Sequence, residues 1–359
     1  MLKYIDSTEG LIGVISHEIG HLNNYHITKR KQKIKDIKIF DNITNLATIT
    51  SAILTNSPEI LLQSTITNKS NIQNYYSQFS KSQEREADIF AVNRLNEINI
   101  SPGGLIKFLK YLEKEFYKSG YSSDTFMFST HPNYEDRLNI ISNISDNNNG
   151  KVSQIINNKY LFIQAKLFGY TENNIETLKT NLSGEFLDYG EAIFFSKQGK
   201  LLDSLKKINK LIINNKNNSF FYETKGDILY NHGYTFEAKK FYDISLSKNK
   251  LNIHIKKRLF DIDYSNLDLF DKNKVIDVFN NNNDLVFYYS KDIDFYHKWL
   301  YIFQVLDKED WMLFVDGWMD ILNNDIIKAK VKLNEIKKIS NDSKLLYNTN
   351  KLINKINDA

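Results

Sequence analysis

The chain has 359 residues, enough for two domains of ordinary size, and 42% hydrophobic with 13% aromatic residues supplies ample side-chain area for packed cores. Its 47 Lys and Arg against 43 Asp and Glu leave a formal charge of +4, without a dense basic stripe or regular aromatic interleaving, which argues against nucleic acid as a partner. There is no cysteine, so thiolate ligands, cysteine nucleophiles and disulfides are excluded and any metal must be held by histidine and carboxylate.

Only 3 Pro and 14 Gly punctuate the sequence, which favours long helices over sheets with tight turns. The first six residues have neither the basic nor the apolar region of a signal peptide. Ser7 is an N-cap, and the helix character that follows predicts a helix to about Arg30 carrying the run His17-Glu18-Ile19-Gly20-His21. The most apolar later stretch, residues 43–62, is interrupted by Asn45, Asn56, Pro58 and Glu59, which is unlike a membrane span and predicts a buried or peripheral helix. A second long helical pattern covers residues 72–99, and Ser101-Pro102 then gives an N-cap and a first-turn proline for a helix to about Lys118. Residues 119–129 are rich in Gly, Ser and Asp and predict a loop. Pro132 opens another amphipathic helix with Leu138, Ile140 and Ile141 on its apolar side. The run Asp146-Asn147-Asn148-Asn149-Gly150 marks an expected domain boundary, dividing the chain into residues 1–150 and 151–359.

Beyond that run, Gly199 and Gly233 are 34 residues apart. Aligning them pairs Ala192 with Gly226, Phe195 with Leu229, Ser204 with Ala238 and Ile208 with Tyr242. This is the tetratricopeptide period, with small residues placed where two helices of a hairpin approach closely, although unrelated helical hairpins of similar length share it. From Leu251 onward the sequence is aromatic and helical in character, with no further repeat to align. His232, His254 and His297 lie in this C-terminal half and carry no assigned chemistry.

On a helix, positions four apart lie one turn above each other, so His17 and His21 can aim imidazole nitrogens at one point with Glu18 projecting beside them. That arrangement suits Zn²⁺ with a general base, and it leaves a tetrahedral ion in need of a third protein ligand. Glu84-Arg85-Glu86-Ala87-Asp88 offers a carboxylate and a second acid one turn later, suited to a ligand and to an acceptor for the other N–H of a ligating imidazole. Glu86 points about 200° round the helix from Glu84 and is not expected to reach the same ion. Taken singly, the first run also fits a chance match on a surface helix and the second a solvated acidic-basic face; together they favour a metal site.

Leu11-Ile12-Gly13-Val14-Ile15-Ser16-His17-Glu18-Ile19-Gly20-His21, then Glu84-Arg85-Glu86-Ala87-Asp88, then Ser129-Thr130-His131-Pro132 with Arg137, resemble in order the signatures of the zinc metallopeptidase family that contains the CAAX-processing proteases, the bacterial protease HtpX and the periplasmic protease-chaperone BepA. The likeness spans roughly residues 7–144, and the repeats behind it point to the BepA-like branch. The resemblance implies a mainly α protein: a gluzincin-like HExxH domain followed by a tetratricopeptide-like helical domain. It makes His17, His21 and Glu84 the ligands of one Zn²⁺, Glu18 the base and Asp88 the partner of a ligating imidazole. It places His131 near the metal, either stabilising the oxyanion or capping the ion at rest, with Arg137 supporting that loop. His26, nine residues beyond His17, falls at a conventional family position on the helix surface and is expected to be an exposed polar residue.

Family members carry a segment with an edge strand ahead of the HExxH helix, and exported members begin with a signal sequence. Sixteen residues precede His17 here, so the expectation is that the natural start lies upstream. The implied activity is endopeptidase cleavage of unfolded or misassembled polypeptides, with a periplasmic role in envelope quality control and outer-membrane assembly proteins as partners of the repeats. The rival from another class is a non-cleaving helical-repeat scaffold or chaperone whose truncated metallo-domain folds around zinc. A purely structural zinc site would have no need of Glu18.

Overall fold

The computed structural model describes residues 2–26, 28–29, 32, 81–118, 134–145, 148–268, 270–288 and 290–357. The apolar stretch 43–62, the start of the second helix before residue 81, the loop 119–129, His131 and Pro132 all lie outside them. Among the described residues the regular structure is helical, with no strand. The chain divides into two compact units, Met1–Phe168 and Gly169–Ala359.

In the first unit, the side chain of Ser7 accepts the Gly10 N–H (3.1 Å) and caps the helix Thr8–Asn23. The helix predicted to about Arg30 is interrupted at Asn24 and Tyr25, and His26, Thr28, Lys29 and Gln32 are again helical. Asn24 closes Thr8–Asn23 through bonds to the Gly20 and Leu22 carbonyls, and Tyr25 takes a left-handed conformation (φ 54°), which a non-glycine residue adopts rarely. A second helix is described over residues 81–97. Ser101 accepts the Gly103 N–H (3.2 Å) at the entry to the helix Gly103–Lys118, as its capping role requires. The helix Tyr134–Ile144 buries Ile141 together with Arg137, which does not belong to its apolar pattern. Ile5, Val14, Ala91, Val92, Leu105, Phe108, Leu109, Ile141 and Tyr160 form the core of the unit.

The Asn-rich run belongs to this unit. Ser101 N–H donates to the Gly150 carbonyl (2.9 Å), and the Asn148 amide reaches the Ile100 carbonyl (3.3 Å). Further on, the Tyr160 hydroxyl and the Gln164 amide both donate to the Ile5 carbonyl, at 2.8 and 2.7 Å, so the helix Gln154–Thr171 packs on the N-terminal residues.

The second unit is built of helical hairpins. Gly184–Lys197 pairs with Leu201–Asn214, and Ser219–Asn231 with Thr235–Lys248. The two turns share one pattern of hydrogen bonds: Lys200 N–H to Phe195 O and Gly199 N–H to Ser196 O in the first, Tyr234 N–H to Leu229 O and Gly233 N–H to Tyr230 O in the second. Gly199 and Gly233 sit at the left-handed position of those turns, with φ of 75° and 85°, where a Cβ is disfavoured. In the first hairpin the Ser204 hydroxyl donates to the Ala192 carbonyl (2.6 Å). In the second, the space beside Gly226 is taken by the Tyr242 ring, while Ala238 is fully buried among Leu229, Ile255, Leu259 and Ile262. Helices from Ile253 onward enclose an aromatic core in which Phe260 stacks on Trp299 at 4.6 Å and Trp299 on Phe303 at 5.5 Å.

Because Ala238 is fully buried in this cluster, Ala238→Leu is expected to overpack the second hairpin and cost about 1–3 kcal/mol. Chemical denaturation of the purified variant checks this; an unchanged midpoint would mean that the helices there are not closely packed.

Candidate metal centre

The helix Thr8–Asn23 and the helix over 81–97 approach closely at Gly20. A Cβ built there would lie 3.0 Å from the Ala87 Cα and 3.1 Å from its carbonyl oxygen, tighter than ordinary packing allows. The glycine inside the pentapeptide therefore lets one helix bring its histidines onto the acidic face of the other.

His17, His21 and Glu84 are buried and converge. The Nε2 atoms of His17 and His21 are 3.0 Å apart, and each lies 3.3 Å from an oxygen of the Glu84 carboxylate. Nitrogen and oxygen ligands sharing a tetrahedral zinc at its usual bond lengths stand about 3.3 Å from one another. The donor set fits the ion in chemistry and in spacing: two neutral imidazoles and a carboxylate, with a fourth direction left for water. Glu18, between the two histidines in sequence, lies on the exposed side of its helix.

Asp88, one turn beyond Glu84 and completely buried, accepts a hydrogen bond from His17 Nδ1 (2.8 Å). Its two oxygens also receive the Arg137 Nε and Nη2 donors, each at 2.8 Å, and Arg137 Nη1 stands 3.4 Å from Glu84. This paired fork holds the carboxylate ionised in a place where removing one charge of a buried pair costs about 3–5 kcal/mol. Burial works against the Asp88 carboxylate, yet the bonds from Arg137 and His17 override it and keep its pKa below the usual range. For Arg137, burial opposes the guanidinium and the Asp88 bonds more than restore it. Burial also opposes a charged His17, but hydrogen bonds to Asp88 and Glu84 raise its pKa above the ordinary histidine value.

His26 requires a correction. Expected as an exposed polar residue, it is 1% exposed, with its Nδ1 2.8 Å from Nδ1 of His21 and its Nε2 3.2 Å from Glu86. The expectation assumed a helix continuing past residue 26. The break at Asn24 and the left-handed Tyr25 interrupts that helix, and His26 lies against the site. Burial lowers the pKa of His26, an effect that Glu86 offsets only in part. Glu86 stands outside the group of potential ligands, with a side chain about half exposed. Arg137, linked by the resemblance to the His131 loop, reaches Asp88 and the potential ligands instead of solvent.

Two histidines one turn apart on one helix and a glutamate from a second form a cluster that could hold a metal ion, in the arrangement that HExxH metallopeptidases use. The family model described as peptidase family M48 matches residues 1–145, which supports a zinc metallopeptidase for that part of the chain and implies polypeptide substrates. No curated protein matches the sequence. Among the described residues, no helix is long and apolar enough to cross a membrane.

Proposed function

We propose that residues 1–150 form a zinc-dependent endopeptidase domain in which His17, His21 and Glu84 hold the ion and Glu18 is the general base. The observation that carries this reading is the convergence of three buried ligand atoms at 3.0 to 3.3 Å, from the two signatures that the sequence places 67 residues apart (84 − 17). When bound, zinc supplies Lewis acidity toward the scissile carbonyl and makes the attacking water easier to deprotonate. Glu18 takes that proton and returns it to the leaving amine. Asp88, clamped by Arg137, holds His17 with its Nε2 lone pair facing the other ligands.

The test is degradation of casein by the purified chain: cleavage is expected to stop on chelation and return with zinc. Cleavage indifferent to chelation would contradict the proposal. Zinc binding without cleavage would instead support the alternative of a non-cleaving chaperone or scaffold.

His131 is proposed to assist the oxyanion. His131→Ala is then expected to lower turnover with little change in zinc content. A rise in activity would assign it as a resting-state ligand that occupies the water position. The helical region 151–359 is proposed to be tetratricopeptide-like and to bind substrates or partner proteins, a role supported by its successive hairpins with equivalent turns. The BepA-like resemblance extends the proposal to quality control of misfolded or misassembled envelope proteins in the periplasm, with outer-membrane assembly proteins as partners.

A further inference from the structure

Imidazole ligands are held in one tautomer and one orientation by what the non-ligating nitrogen touches. For His17 that partner is Asp88. For His21 it is a second histidine, and the direction of that contact follows from the groups beyond it.

Glu86 accepts the Ser82 hydroxyl on Oε1 (3.3 Å) and faces His26 Nε2 with Oε2 (3.2 Å). An ionised carboxylate only accepts, so the proton of His26 belongs on Nε2 and its Nδ1 carries a lone pair. That lone pair faces Nδ1 of His21 at 2.8 Å, where one nitrogen must donate and the other accept. The proton in that contact therefore sits on His21 Nδ1, and His21 Nε2 is left with a lone pair directed at the region between His17 and Glu84. The backbone is fixed as well: the Gln83 side chain donates to the His26 carbonyl (3.1 Å). Gln83, Glu84 and Glu86 thus come from one short stretch of the second helix, so the residues that anchor His26 move with the carboxylate that faces the metal.

We infer that His26, held by Glu86 and Gln83, is a positioning residue that sets the tautomer and ring orientation of His21 for metal binding. The inference rests on the zinc reading above. It makes the site symmetrical in logic: each histidine has a carboxylate-anchored partner, Asp88 directly for His17 and Glu86 through His26 for His21.

The experiment is zinc affinity of the full chain, measured by competition with a chromophoric chelator, with folding followed by circular dichroism in metal-free buffer. His26→Phe, which fills the space but cannot accept a hydrogen bond, is expected to weaken zinc binding by about 10- to 100-fold. His26→Gln, whose amide can accept from His21 and donate to Glu86 at once, is expected to recover most of that loss, which a merely space-filling role for His26 would not predict. Zinc binding by the wild-type chain with an affinity in His26→Phe within about threefold of it would overturn the relay alone, being well short of such partners' usual effect. Equal losses in both variants would also overturn it. A wild-type chain that binds no zinc would overturn the metal reading and the relay with it.

Discussion

Glu18→Gln is expected to keep its zinc and its fold while losing casein cleavage by about two to four orders of magnitude, the usual contribution of a positioned general acid–base. The amide is nearly the same size and shape as the carboxylate, and position 18 is exposed on its helix, so the substitution disturbs neither packing nor the buried ligand cluster. What it removes is the capacity to accept a proton from water and hand it to the leaving amine. The loss should fall on turnover, with zinc content unchanged, because Glu18 is outside the group of converging ligand atoms. Undiminished, zinc-dependent cleavage by the variant would end the assignment of Glu18 as the base.

The pairing of His17 with His21 was readable from the sequence because it depends only on helical periodicity and a good N-cap, and both are local. The shared face of Glu84 and Asp88 was readable for the same reason. His26 was not. On a straight helix a residue nine positions after His17 lies about 180° round the axis from it, on the far surface. Two adjacent asparagines, Asn23 and Asn24, are the available sign of a helix break, since asparagine favours termini and turns, but the left-handed Tyr25 that completes the break has no sequence marker. The family resemblance marks Arg137, yet its bond to Asp88 joins residues 49 apart and lies beyond any local pattern. The 34-residue spacing of Gly199 and Gly233 located two equivalent turns because a left-handed position strongly favours glycine. The turns at Asp307 and Asn324, with φ of 55° and 63°, use other residues and do not fall on the 34-residue spacing, so no glycine marks them.

The proposed metal site depends on Glu84, and not Glu86, being the third ligand. Glu84 is buried with both oxygens 3.3 Å from the two imidazole nitrogens, whereas Glu86 is half exposed and faces His26. On the proposed assignment, removing Glu84 takes away a direct ligand and leaves two imidazoles, too few to keep zinc through dialysis, whereas removing Glu86 loosens the support of His21 without emptying the coordination sphere. Elemental analysis of the purified wild-type chain, Glu84→Ala and Glu86→Ala, each dialysed after saturation with zinc, measures this directly. About one zinc per chain in the wild type and in Glu86→Ala, with nearly none in Glu84→Ala, is the predicted result. Equal retention by the two variants, or loss from Glu86→Ala alone, would contradict it.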